Sequence, residues 1–106
     1  MKKEEFMQQI EDCRLPKSFD QGLLDNASEM FSKWGTTTHM NEKEYLFERF
    51  GLAPKTGDSA ALKKEKELLR CVCKKMLESE LNKHDASVII KNFNRIKDSS
   101  FEWIEG

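Results

Sequence analysis

SAALKKEKELLRCVCKKMLESELN, residues Ser59 to Asn82, decides the fold. Leu62, Leu69, Val72, Cys73 and Met76 fall within one stripe at ~100° per residue, which predicts an amphipathic helix. Cys71 points to the opposite side, with Lys64, Lys74, Lys75 and Glu78. At ~1.5 Å per residue such a helix spans roughly 35 Å and is the longest in the chain. Leu62, Leu69 and Met76 also repeat at seven, over too few heptads for a free coiled coil. A two-fold pairing of this helix with its copy is nevertheless open, since homodimers are the commonest oligomers.

Working outward, the loop Gly51–Asp58 (GLAPKTGD) precedes this helix, and Asp58 or Ser59 serves as its cap. Before the loop, three shorter helices are predicted. Phe6, Met7, Ile10 and Cys13 share a face of the first, from about Lys3 to Cys13, and Pro16 ends it. Ser18 with Gln21 forms a capping box for the second, whose inner face is Phe19, Leu23, Ala27, Met30 and Trp34, with Gly35 as its left-handed end. TTTHM reads as a linker. Asn41 with Glu44 caps a third helix, Glu42 to Phe50, with Met40 and Tyr45 at staple spacing. Gly51 closes it, and Leu52 returns onto Phe47 in a Schellman motif. After the long helix, a fifth runs from Ala86 to about Lys97 behind an Asp85 cap. No stretch alternates with period two. The fold class is therefore all-α, a compact single domain (1–106) of about five helices with the fourth (about 59–82) longest.

The domain divides by charge. An acidic half, 1–51, leads through the loop 52–58 to a basic hairpin, 59–98, and an aromatic, acidic tail, 99–106. Met1 to Asp58 holds 8 basic and 11 acidic residues; Ser59 to Asp98 holds 10 and 6, and the whole chain is at −1. A nucleic-acid binder carries a stronger excess, because phosphate contacts dominate its affinity. MKKEEF lacks the apolar core of a signal peptide, and no apolar run reaches the ~18 residues of a membrane span. Three cysteines, an odd number, read as reduced thiols, which places the chain in the cytoplasm.

Enzyme chemistry finds no foothold in this list. There is no Gly-rich phosphate loop, nucleophile elbow or HExxH pattern, and His39 and His84 sit in polar linkers. Carboxylates interleave with lysine, as in LKKEKE, like solvated i, i+4 pairs. No cofactor is implied. Cys71 and Cys73, two apart on a helix, point ~200° away from each other and cannot share a tetrahedral metal. Cys73 belongs to the core. Cys71, flanked by lysine, is an edge residue, a reactive thiol, or with Leu68 and Lys75 part of a contact strip for another protein.

Leu81 to Asp98 supplies the competing reading. Ile89, Phe93 and Ile96 share an apolar face with Asn92, with Ile90 at its edge, while Ser87, Lys91, Asn94 and Arg95 point away. A helix, a turn at Asn82–Asp85 and a second helix with Lys, Asn and Arg outside has the outline of a helix-turn-helix. The turn lacks glycine, and Asp85 and Asp98 flank the basic patch. In the tail, Phe101, Trp103 and Ile104 either fold back or anchor a partner's groove. The expected function is thus a non-enzymatic helical interaction module that binds a larger protein as adaptor, anti-factor or inhibitor, with a homodimer as a further expected partner. Small regulatory accessory proteins of phages and mobile elements share this profile. The alternative is a small DNA-binding regulator with Lys91, Asn94 and Arg95 on bases and Lys74, Lys75 and Lys83 on phosphates.

Overall fold

The computed structural model describes residues 3–34, 40–78 and 83–97. Among them the elements run α1 (Lys3–Gln9), a 3₁₀ turn (Glu11–Cys13), α2 (Gln21–Trp34), α3 (Met40–Arg49), α4 (Ala60–Glu78), α5 (Lys83–Lys91) and α6 (Phe93–Lys97). The fold is all-α and α4 is its longest helix. The bundle measures 42 × 29 × 22 Å. No helix among the described residues is long and apolar enough to cross a membrane.

The ends of the helices follow local hydrogen-bonding chemistry, and several differ from the sequence expectation. The first helix yields to the 3₁₀ turn before Cys13, and Arg14 takes the left-handed conformation (φ 53°) with its N–H on the Glu11 carbonyl. Ser18 does not open α2. Asp20 does: its carboxylate and its carbonyl both accept the Leu23 N–H, and its carbonyl also accepts that of Leu24. A carboxylate at this position faces the positive end of the helix dipole, which favours it over a hydroxyl two residues earlier. Helix α3 is already formed at Met40, so Asn41 lies inside it rather than capping it.

Where α3 ends, the expected Schellman motif is present. Leu52 N–H donates to the Phe47 carbonyl at 2.8 Å, Gly51 N–H to Glu48 at 3.2 Å, and Gly51 carries φ 76°. Leu52 is fully buried as a result. Ser59 opens α4 by accepting the Leu62 N–H on its hydroxyl at 3.1 Å, while Asp58 is used elsewhere. The expected fifth helix is two helices. It starts at Lys83, so the predicted turn to Asp85 is not there, and it breaks at Asn92, whose side-chain amide donates to the Val88 carbonyl.

One apolar centre joins α2 through α6. Leu24, Ala27 and Phe31 of α2, Phe47 of α3, Leu69, Val72, Cys73 and Met76 of α4, Ile89 and Ile90 of α5 and Phe93 of α6 are all sealed from solvent. Burial of side chains this size contributes about 1.5–3 kcal/mol apiece. Leu69 and Met76 belong to this centre, so the heptad seam considered for a dimer is spent within the chain. Helix α2 packs most extensively on α5. Ser28 of α2 and Ser87 of α5 set that contact: each hydroxyl donates to the other residue's carbonyl at 3.0 Å, and the hydroxyls lie 2.8 Å apart. Ser87 therefore faces inward, not outward as helical phase alone suggests. Helix α5 turns further into the bundle than expected, burying Ile90 as well as Ala86.

Lys66 departs furthest from the reading of LKKEKE as a solvated face. It is 5% exposed, and its ammonium meets the Asp58 carboxylate at 2.7 Å and the Ala53 carbonyl at 3.4 Å. Asp58 also accepts the Lys55 N–H at 2.9 Å. The Lys66 and Lys55 hydrogen bonds hold the Asp58 carboxyl below its ordinary value of 3.8. A carboxylate so depressed stabilises the fold in full above that ordinary value, and the contribution is lost as pH falls through the lower folded one. Asp58→Asn should lower Tm at pH 7 by stranding a buried ammonium, and should flatten the acid limb of stability below about pH 4. Thermal melts from pH 2 to 7 measure both effects. Pairing it with Lys66→Met should recover most of the loss, because no unpaired charge then remains.

Candidate functional site

The cysteines are not arranged as three reduced thiols. Cys13, buried at the end of the 3₁₀ turn, is joined by a disulfide to Cys71 of α4, with 5.7 Å between their Cα atoms. Cys71 is half-buried and is not a free, reactive thiol. The disulfide draws the N-terminal turn onto α4 and buries Ile10 completely. Cys73 lies in the core as its phase predicts, and burial pushes its thiol far up from the usual cysteine value, so it stays protonated and inert. No linear spacing signals the 13–71 pairing; helix packing alone brings the two together.

Around Cys71 the outer side of α4 carries an open groove of about 380 Å³, lined by Glu67, Arg70, Cys71, Lys74, Lys75 and Glu78. Leu68 lies beside it, half-buried against the core. Of the residues predicted to contact a partner, Leu68, Cys71 and Lys75 are thus brought together on one helix. Phe101, Trp103 and Ile104 lie outside the described residues, as do the side chains of Trp34, Met40 and Ile96. Arg70 donates to the Leu52 carbonyl at 2.6 Å and fixes the loop against α4. Lys74 pairs with Glu44 at 2.9 Å and sits 5.9 Å from the Phe47 ring centre.

Of the proposed DNA-reading set, Lys91 and Arg95 are exposed and Asn94 is engaged within the fold. Asn94 is spent inside the fold: its Oδ1 accepts the Phe19 N–H and its Nδ2 donates to the Phe19 carbonyl, both at 2.8 Å. Both polar ends of its amide are therefore taken by one backbone residue, leaving little to read an adenine edge. Lys91 lines a different groove, about 270 Å³ between α2 and α5, beside Asp25 and Glu29. Its carbonyl accepts from Gln21 Nε2 at 2.9 Å. Lys83 and Arg95 are exposed, whereas Lys74 and Lys75 lie in the α4 groove with two glutamates. Asn94→Ala should destabilise the chain by about 1–3 kcal/mol, since it strips both partners from a buried residue's backbone. Urea unfolding followed by circular dichroism is the measurement.

Helix α3 presents a feature that periodicity does not single out. Tyr45, assigned by spacing to a staple, is 58% exposed, and its hydroxyl accepts a hydrogen bond from Arg49 at 3.2 Å. Tyr and Arg, two residue types enriched among the residues that dominate protein interfaces, lie one turn apart on this outer face with Glu44 and Glu48 alongside. The i, i+4 relation of Tyr45 and Arg49 was the available signal in the sequence. Among the described residues, no three His, Cys, Asp or Glu side chains converge as a metal ion would require. Comparison with known proteins finds no family model, curated relative or solved structure that matches this chain.

Proposed function

We propose that the chain is a non-enzymatic helical interaction module that binds a larger protein, as an adaptor, anti-factor or inhibitor. The observation that carries this reading is the outer face of α3, where Tyr45 stands out of the surface with its hydroxyl held by Arg49. An aromatic ring already oriented before binding loses little conformational freedom on docking, which favours it as an anchor. The half-buried Leu68 and the groove beside it offer a second contact. Against the DNA-binding alternative stands the engagement of Asn94, one of its three base readers, by the Phe19 backbone.

Two assays on the intact protein test the reading together. Affinity capture from native extract should retain a stoichiometric protein partner that Tyr45→Ala and Arg49→Ala each release, with helix content unchanged. Duplex DNA should show no shift at about 150 mM salt, where a phosphate-dependent binder would show a steep salt-dependent one. A shift abolished by Lys91→Ala and Arg95→Ala would overturn the reading. A cytoplasmic setting is part of the proposal, although the Cys13–Cys71 bond removes the reduced-thiol ground on which the sequence placed the chain there, and it is measured separately. Trapping thiols at the moment of lysis should find Cys13 and Cys71 reduced in a cytosol, and bonded if the chain resides in an oxidising compartment.

A further inference from the structure

The Cys13–Cys71 bond presents its two sulfurs unequally. Cys13 is sealed within the 3₁₀ turn at 3% exposure, while Cys71 is half-buried and lines the groove of about 380 Å³ on the outer side of α4. That volume falls in the range of about 300–1,000 Å³ typical of small-ligand pockets. Part of the wall is fixed: Arg70 is held by the Leu52 carbonyl and Lys74 by Glu44. Charge around the bond is balanced. On the wall three cations meet two glutamates, and on the covering turn Arg14 meets Glu11 and Asp12. Cys73, the remaining thiol, lies in the core on the opposite side of α4, out of reach of either sulfur.

We propose that this groove is a thiol-exchange site, at which a low-molecular-weight thiol attacks Cys71 Sγ and unfastens residues 3–15 from α4. The thiolate's electron pair forms a bond to Cys71 Sγ. The bond to Cys13 breaks, and its electron pair leaves on Cys13 Sγ, which takes up the proton the attacking thiol has lost. A second molecule of the thiol then attacks the added sulfur of the mixed disulfide. That step frees Cys71 as a thiol and leaves the two small molecules joined, so two electrons pass from two thiols to the protein bond. Burial makes Cys13 the poorer leaving group. A sealed sulfur cannot be attacked at all, however, so access selects Cys71. Because the surrounding charge is balanced, an anionic thiol and a neutral one should choose the same sulfur. Once Cys13 is released, the N-terminal segment rests on its apolar side chains Met7, Ile10 and Leu15. A helix of seven residues and a turn of three persist poorly without a tertiary anchor. The segment should therefore open more often, while the centre shared by α2 to α6 stays closed.

This inference does not depend on the α3 reading, since it concerns another face and another chemistry. The intact, disulfide-bonded chain is incubated at about pH 8 with glutathione or, in parallel, with 2-mercaptoethanol. Samples are quenched at early times with N-ethylmaleimide, and the modified peptides are weighed. Expected with both thiols is the added thiol on Cys71 and maleimide on Cys13, about tenfold or more over the reverse, with Cys73 unlabelled. Amide hydrogen exchange of the mixed-disulfide protein should rise about tenfold or more over residues 3–15 and stay unchanged in α2 and α5. The added thiol on Cys13, or an equal split between the two sulfurs, overturns the proposal. So does thiol exchange no faster than global unfolding, read in the same samples from the labelling of buried Cys73. Unchanged amide protection over residues 3–15 overturns it as well.

Discussion

Replacing Cys13 with serine should lower the unfolding free energy by about 4 kcal/mol, roughly 15 °C in Tm. The bond it removes closes a loop of 58 residues, more than half the chain. A cross-link over that distance withdraws many open conformations from the unfolded chain, and the native fold gains by comparison. Otherwise the N-terminal segment is held to the bundle by the apolar side chains of Met7, Ile10 and Leu15, which do not replace a covalent link. Dithiothreitol on the unmodified protein should give a drop of similar size. Thiol counting supplies the companion measurement: no cysteine reacts in the native protein, one reacts on unfolding without reductant, and three react after reduction.

Phe93→Ala should cost about 3–5 kcal/mol, the range for removing a buried aromatic ring. Phe93 is completely buried, and its ring packs on that of Phe19 with centroids 5.6 Å apart and planes at 57°. The tilted arrangement sets ring edge toward ring face, an attraction beyond area alone. The cost should exceed that of trimming a bundle-end residue because α6 has only five residues. A helix that short does not hold without its tertiary anchor. Phe93→Leu should recover most of the stability, since it keeps most of the volume. Chemical denaturation of the three proteins decides it, and equal losses for Ala and Leu would show that ring packing is not what anchors α6.

Much of the fold could be read from residue order because its causes are local. Gly51 and Leu52 announce the end of α3 through a requirement for positive φ and a returning apolar residue, both within six positions. The core stripe of α4 follows from spacing alone, and so does the burial of Cys73. The misplacements have non-local causes. Lys66 looks like any lysine on a charged helix, and only the fold of the 52–58 loop delivers Asp58 to it. Asn94 has the residue type of a base reader, yet a partner 75 positions away decides its role. Cys13 and Cys71 carry no mark of each other in the chain. The candidate surfaces fared similarly: Leu68, Cys71 and Lys75 do lie together, because they share one helix, whereas the exposure of Tyr45 depended on which way α3 rolls against α4.

The disulfide spans positions 13 to 71 and the Asn94–Phe19 clasp spans 19 to 94, so the two closures overlap like links of a chain. The stretch between Leu52 and Asp58 lies inside both. A protease that severs the backbone there makes two peptides joined by the Cys13–Cys71 bond: on a denaturing gel the halves migrate together until a reductant is added. Nicked protein should keep its helical circular dichroism, since the cut releases neither closure.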